Sequence, residues 1–327
     1  MNPVTRDEFF QRFVSKSSLG IEIGPSYNPA YPKGQGWNVE TIDYLSAEDL
    51  KQKYKADLRI KIDQIEAVDY IVEGSNFSQS IPEDRKGQYE FIGLSHALEH
   101  LCDIVGFLSE CESLLMEGGK VIIAVPDKRF CFDFFRPIST TGDVLRAHWE
   151  KRKTHPADVL FDSNNLICST NSCEEWDQWH AIPKFEFIVE YDQSVLLAAS
   201  DRVASGEDNA YNDMHRWVFT PSSLLLIFRD LSAIGLSNFE TSYIEHGIGP
   251  NIFFVLTKNS QPNREFAAKD RMLYQYAILQ ELRVQQIFID QAPQFSEALA
   301  LGAMEANLQN ALASNQRLME DMTKGRR

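Results

Sequence analysis

The chain has 327 residues, enough for one large α/β domain with an appendage or for two modest domains, and its 43% apolar and 24% charged content is ordinary for a globular protein. A net charge of −15 with no basic stripe to offset it repels phosphate backbones and anionic lipid surfaces, which makes nucleic acid and membrane surfaces poor partner expectations. No apolar run approaches the roughly 20 residues of a membrane span. The N-terminus, MNPVTRDEFFQRF, lacks the apolar stretch of a signal peptide. The five cysteines, Cys102, Cys111, Cys131, Cys168 and Cys173, form no CxxC pair, so the expectation is a soluble cytoplasmic protein with reduced thiols.

In chain order, Thr5 to Val14 reads as a short amphipathic helix with Phe9, Phe10 and Phe13 on its apolar face. GIEIG (Gly20 to Gly24) reads as a strand cut off by the turn-rich GPSYNP. NVETIDY (Asn38 to Tyr44) is a second strand, followed by a helix in which Ser46 caps with Asp49 three residues on. AVDYIVEG (Ala67 to Gly74) and YEFIGLS (Tyr89 to Ser95) are the third and fourth strands. A helix then carries Ile104, Phe107, Leu108, Cys111, Leu114 and Leu115 at helical spacing, with Gly118 and Gly119 as its stop. KVIIAVP (Lys120 to Pro126) is continuously apolar, as expected of a central strand in a parallel sheet. Strands alternating with helices imply βαβ units and a doubly wound sheet.

From Asp127 to about Asn212 the pattern loosens. This stretch reads as an inserted cover, with helical pieces at Thr141 to Lys153 and Phe185 to Ala204 and an aromatic loop, CEEWDQWH, that could close over a pocket. TPSSLLLIFRDLSAIG restores order, with Thr220 as N-cap, Pro221 at the first helical position and Gly235 at the stop. Two strands follow, LSNFETSYI and NIFFVLTK. Residues 259–327 read as a helical extension of two helices broken near Pro293, with an apolar stripe of Met272, Tyr276, Leu279, Leu282 and Ile287 that would serve packing on its own domain, a homo-oligomer or a partner protein equally well.

The first strand and its turn carry the chemistry. Gly24 lets backbone approach a ligand closely, and Asp43, ending the second strand, is placed to accept the hydroxyls of a ribose. A glycine turn followed by an acid roughly 20 residues later is the spacing for a bound nucleoside. The turn lacks the G-x-G-x-x-G that cradles a pyrophosphate on a helix N-terminus. Glu22 just before it would repel that anion and would suit a cofactor carrying an ammonium and a sulfonium. The charge logic therefore favours S-adenosylmethionine over NAD.

IEIGPSYNP, VETIDY and FIGLSHALEHLCDIVGFLSECESLLMEGGKVIIAVPDKRFCFDFFRP, with MHRWVFTP downstream, resemble the class I S-adenosylmethionine-dependent methyltransferases, and in particular a bacterial subgroup of the type 11 family, over about residues 18 to 258. That subgroup reads SHVLEH, then a helix, L-x-P-G-G, and a strand closing in VPDKRxxFD. A second glycine after Gly24, usual in the wider superfamily, is missing here. The resemblance implies a doubly wound, mostly parallel Rossmann-like sheet with an antiparallel last strand, a methyltransferase domain over 1–258 with a cover region at about 127–212, and the helical extension behind it.

The resemblance further implies that Glu22 and Gly24 line the methionine end of the cofactor, Asp43 holds the ribose, and Glu73, Gly74 and Ser75 lie near the adenine. Ser95 and His96 would contact the cofactor and face the transferred methyl. Asp127, Lys128 and Arg129 would face a small-molecule or sugar acceptor, relatives of the subgroup being linked to surface-polysaccharide assembly. A hydroxyl acceptor must lose a proton, for which His96, His180 and His215 are the candidate bases. His96-Ala-Leu-Glu99-His100 also matches an H-x-x-E-H zinc pattern. It follows a buried strand instead of lying inside a helix, so no metal is expected and His100 reads as structural or capping. A catalytically degenerate scaffold acting through the helical tail and an NAD oxidoreductase remain the competing readings.

Overall fold

The computed structural model describes residues 4–72, 76–166, 168–170, 185–187, 214–246 and 251–290, with a few isolated helical positions between 197 and 205. Glu73, Gly74 and Ser75, the CEEWDQWH loop with His180, and the second helix expected in the tail lie outside the described residues.

Seven strands form one sheet in the order β3-β2-β1-β4-β5-β9-β8. They are β1 (Gly20–Ile23), β2 (Val39–Asp43), β3 (Tyr70–Ile71), β4 (Tyr89–Ser95), β5 (Leu115–Pro126), β8 (Phe239–His246) and β9 (Asn251–Lys258). The first five run parallel, and β9 is antiparallel to both β5 and β8. The order reverses between β1 and β4, which puts the switch point of this doubly wound sheet at the ends of the Glu22 and Ser95 strands. A separate pair, β6 (Cys168–Thr170) and β7 (Phe185–Phe187), is antiparallel, so Phe185 begins a strand and not the helix its sequence suggests.

Alternation along β5 divides the core. Val121, Ile123 and Val125 meet α3 (Ile104–Leu114) and α6 (Pro221–Ala233) on one face, while Ile122 and Ala124 meet α1 (Arg6–Gln11) on the other. α3 starts where the Asp103 side chain accepts from the Gly106 N–H at 3.0 Å, and it buries Ile104, Phe107, Leu108, Cys111 and Leu114. α6 has Thr220 at the N-cap position and the expected Pro221 start, but the side-chain bond at this end is made by Ser223, whose hydroxyl accepts the Thr220 N–H at 2.9 Å, and Gly235 beyond the helix adopts a φ of 83°. α2 (Ala47–Tyr54) begins at Ser46, whose hydroxyl accepts from Asp49 N–H at 3.1 Å. α4 (Thr141–Trp149) and α5 (Ala157–Asn165) follow β5. Among the described residues no helix is long and apolar enough to cross a membrane.

One further local expectation is corrected. Gly118 and Gly119 do not stop α3. The helix ends at Leu114 and the chain enters β5 at once, with Gly118 at φ 76° where the β4–β5 register slips between Tyr89 and Phe91. The link from β1 to β2 holds no α-helix, only a single 3-10 turn at Lys33–Gln35, with Tyr31 and Trp37 filling the sheet face that a crossover helix would cover.

The tail helix α7 (Ala268–Asp290) docks on its own domain, largely through polar groups. Glu281 accepts from the Ser222 N–H and hydroxyl, Arg271 pairs with Asp230, and Gln285 bonds the Phe134 carbonyl at 2.8 Å. Most of the apolar stripe therefore points outward: Met272, Tyr276, Leu279 and Ile287 are exposed.

Candidate active site

The carboxyl ends of β1, β2 and β4 converge at the switch point. Gly24 leaves β1 with φ 64°, its N–H bonded to the Ile42 carbonyl at 2.8 Å, and a Cβ there would meet only Ala97 Cβ, at 3.9 Å. The turn after β1 thus comes close to the turn after β4 at Ala97. Ser26, two residues on, is also left-handed, with φ 49°. Glu22 faces away from Ile21 and Ile23, as strand alternation requires. Its buried carboxylate accepts the Ala30 N–H at 2.6 Å and the Tyr31 N–H at 3.1 Å. It pins the far end of the turn, where a crossover helix is lacking. Burial drives its pKa up to about 7 against the pull of those two N–H groups.

Asp43 ends β2 almost fully buried. Its Oδ1 accepts the Tyr44 N–H at 2.8 Å, and its Oδ2 has no hydrogen-bond partner. Burial raises its pKa, opposed by the N–H groups of Tyr44, Leu45 and Ser26. A buried carboxylate oxygen without a donor is costly unless a ligand supplies one. Ser95 at the end of β4 has a buried hydroxyl that is likewise unbonded. These two groups and the open Gly24 turn suit a nucleoside whose hydroxyls donate, so the residues present fit S-adenosylmethionine. Tyr44, next after Asp43, and Tyr27, next after Ser26, are exposed, and an isolated tyrosine in a turn has no distinguishing sequence pattern.

Beyond Ser95 the chain turns at His96, a non-glycine residue at φ 52°. Such a conformation costs about 1–2 kcal/mol and aims the imidazole off the strand end. His96 Nδ1 lies 3.4 Å from Glu99 Oε1. Glu99 is fully buried, and neither of its oxygens makes a hydrogen bond. Burial pushes its pKa up, but the surrounding His96, His215 and His100 prevail and hold it below the usual carboxylate range.

His215 arrives from the far side of the inserted region. The Glu99 carbonyl accepts the Arg216 and Trp217 N–H groups at 2.7 and 3.0 Å, and Trp217 Nε1 donates to the Leu101 carbonyl at 2.6 Å. His215 Nδ1 donates to Asp133 Oδ2 at 2.6 Å, and its Nε2 lies 3.9 Å from Glu99 Oε1. Burial acts to raise the Asp133 pKa, but His215 and Arg136 outweigh it and keep this acid ionised below its usual range. Arg136 ties the group together by bonding both Asp133 and the His215 carbonyl at 2.7 Å. Asp133 is the site residue that sequence reasoning passed over, and Glu99 entered it only through the zinc pattern. Both sit inside quoted motifs, as the acid of SHALEH and the last acid of VPDKRFCFD.

Asp127, Lys128 and Arg129 were expected against an acceptor. The structure instead commits their side chains to the protein. All three are buried. Arg129 Nε bonds Asp127 Oδ1 at 2.9 Å and its Nη2 bonds Oδ2 at 2.5 Å, while Lys128 Nζ reaches the Phe134 carbonyl at 2.7 Å and Gln285 of α7 at 3.0 Å. A cavity of about 200 Å³ is lined among others by Arg136, Arg152, Arg216 and Trp217.

Residues 15–231 match the methyltransferase domain family. No curated protein matches the sequence. Among solved structures, a SAM dependent methyltransferase from Aquifex aeolicus aligns at 10% identity over 78% of this chain and 90% of that one, with a TM-score of 0.37. A second, from Mesorhizobium loti, aligns at 10% identity over 76% and 94%, also at 0.37. A candidate sarcosine dimethylglycine methyltransferase from Galdieria sulphuraria reaches 21% identity but only 35% of this chain and 41% of that one, with a TM-score of 0.25. At these scores the structural likenesses add no weight to the family match. With that match over most of the sheet and a nucleoside-fitting switch point at the ends of β1, β2 and β4, the chain belongs to the methyltransferase domain family and is a class I S-adenosylmethionine-dependent methyltransferase.

Proposed function

We propose that this chain transfers a methyl group to a hydroxyl of a small-molecule or sugar acceptor, in a setting such as surface-polysaccharide biosynthesis. The observation that carries the reading is the His96–Glu99 pair. It stands directly after the strand whose Ser95 hydroxyl is left for the cofactor.

Bound S-adenosylmethionine supplies an electrophilic methyl on a sulfonium. Asp43 accepts the ribose hydroxyls through its unbonded Oδ2, and the Gly24 turn, anchored from behind by Glu22, admits the methionine end. The Ser95 hydroxyl orients the cofactor beside His96. Glu99, ionised, favours the imidazole tautomer with its proton on Nδ1, which leaves Nε2 to take the acceptor proton as the oxygen attacks. Positioning supplies much of the acceleration, because the displacement is in line and the sulfonium is already activated.

The test is transfer of labelled methyl from S-adenosylmethionine into a panel of nucleotide sugars, free sugars and small hydroxyl compounds. Label in a sugar or small-molecule hydroxyl supports the reading. Label confined to amines or carbon acids, or to protein, refutes the acceptor class, and cofactor that fails to bind at all refutes the enzyme reading in favour of a scaffold.

A further inference from the structure

Glu99, His100 and His215 place one donor atom each within 4.8 Å of one another. The first two come from the turn after β4. The third comes from a segment more than a hundred residues later that is stitched to that turn by the bonds from Arg216 and Trp217 to the Glu99 carbonyl. The H-x-x-E-H spacing lacked a downstream ligand in the sequence, and the fold supplies one.

The contacts of His215 sharpen the point. Its Nδ1 lies 2.6 Å from Asp133 Oδ2, which turns the opposite ring nitrogen, Nε2, toward Glu99 Oε1 at 3.9 Å. Neither oxygen of the fully buried Glu99 carboxylate makes a hydrogen bond. A buried carboxylate without a donor, facing a ring nitrogen, is a ligand pair that a metal cation satisfies. A carboxylate holding the remote nitrogen of a histidine is also the usual outer support of a metal-bound imidazole.

We propose that Glu99, His100 and His215 bind a zinc-class divalent transition metal, with Asp133 orienting His215. Two imidazoles and one carboxylate suit zinc, cobalt or iron(II) and not magnesium or calcium. Metal–ligand bonds of 2.0–2.2 Å put tetrahedral ligand atoms about 3.3 Å apart, so the three side chains close inward by small rotations on loading. Three protein ligands leave a coordination position open. In the methyl-transfer reading, on which only this role depends, that position takes the acceptor hydroxyl oxygen and lowers its pKa, the hydroxyl proton passing to His96. Glu99 can ligate with one oxygen and keep the other toward His96.

The experiment loads the chelator-stripped full chain with zinc or cobalt(II) in the absence of cofactor. It reads metal per chain by mass spectrometry, the visible absorption of bound cobalt, and the thermal midpoint. The expected result is one equivalent per chain, a cobalt spectrum of low-symmetry nitrogen and oxygen ligation, and a raised midpoint. Glu99→Gln and His100→Ala each should lose at least 100-fold in affinity. Asp133→Asn should lose about 10- to 100-fold. If Glu99→Gln melts early, His100→Ala, on a half-buried side chain, carries the result. Uptake below a tenth of an equivalent overturns the proposal, as does uptake that survives both Glu99→Gln and His100→Ala. Cofactor binding is measured separately, so failure of the metal site leaves the methyl-transfer reading standing, and the reverse also holds.

Discussion

Glu22 gives the sharpest quantitative expectation. Its carboxyl ordinarily titrates at 4.5 and is raised to about 7 in the fold, chiefly by burial. The folded state therefore holds this proton more tightly than the unfolded chain does. Between pH 4.5 and 7 the unfolded chain releases it while the folded protein retains it, so stability falls as pH rises through that window and levels off above pH 7. A shift of this size corresponds to about 3 kcal/mol. Glu22→Gln keeps the volume and removes the titration. It also sets an amide NH2 against one of the N–H groups of Ala30 and Tyr31, losing a hydrogen bond worth about 1–3 kcal/mol. The variant should thus be less stable than wild type at pH 4.5 and should match or exceed it at pH 8. Urea unfolding of both proteins at a series of pH values measures the difference directly, and every other titrating group cancels to first order. Parallel stability curves for the two proteins would show that the Glu22 carboxyl is not raised, and the account of the buried turn anchor would fail with it.

Two further outcomes follow from the site. His96→Ala should lower kcat by about 10²- to 10⁴-fold while cofactor affinity, by calorimetry, changes less than about threefold; an unchanged kcat removes His96 as the base. Arg129→Met leaves Asp127 as an uncompensated buried charge and should cost about 3–5 kcal/mol of stability in urea unfolding, with the acceptor KM of the protein that remains folded unaltered. A large rise in KM without destabilisation would return Arg129 to the acceptor.

Much of the sheet was legible because its signals are local. YEFIGLS and NIFFVLTK coincide with β4 and β9, since a buried run bounded by turn residues leaves little choice of register. Ser46 caps α2 as its sequence announces, and α6 starts at Thr220 and Pro221 where its sequence places it. What could not be read was whatever depends on distant partners. Gly118 resembled a helix stop, yet its left-handed φ serves a register slip against Tyr89, which only the pairing with β4 creates. The DKR run was expected to face an acceptor, yet Arg129 folds back on Asp127 and Lys128 reaches Gln285, 157 residues away. In the site, Gly24 and Asp43 were visible from spacing because both end adjacent strands. Glu99 and Asp133 acquire their meaning only when His215 is brought between them.

The central claim is that the ends of β1, β2 and β4 bind S-adenosylmethionine. Isothermal titration calorimetry of the full chain with this cofactor tests it most directly. The account predicts one site per chain with a sub-millimolar Kd, and Asp43→Ala should weaken it by about 1.5–3 kcal/mol, the worth of charge-assisted hydrogen bonds to the ribose. No heat at millimolar cofactor, or an Asp43→Ala variant that binds as tightly as wild type, would contradict it.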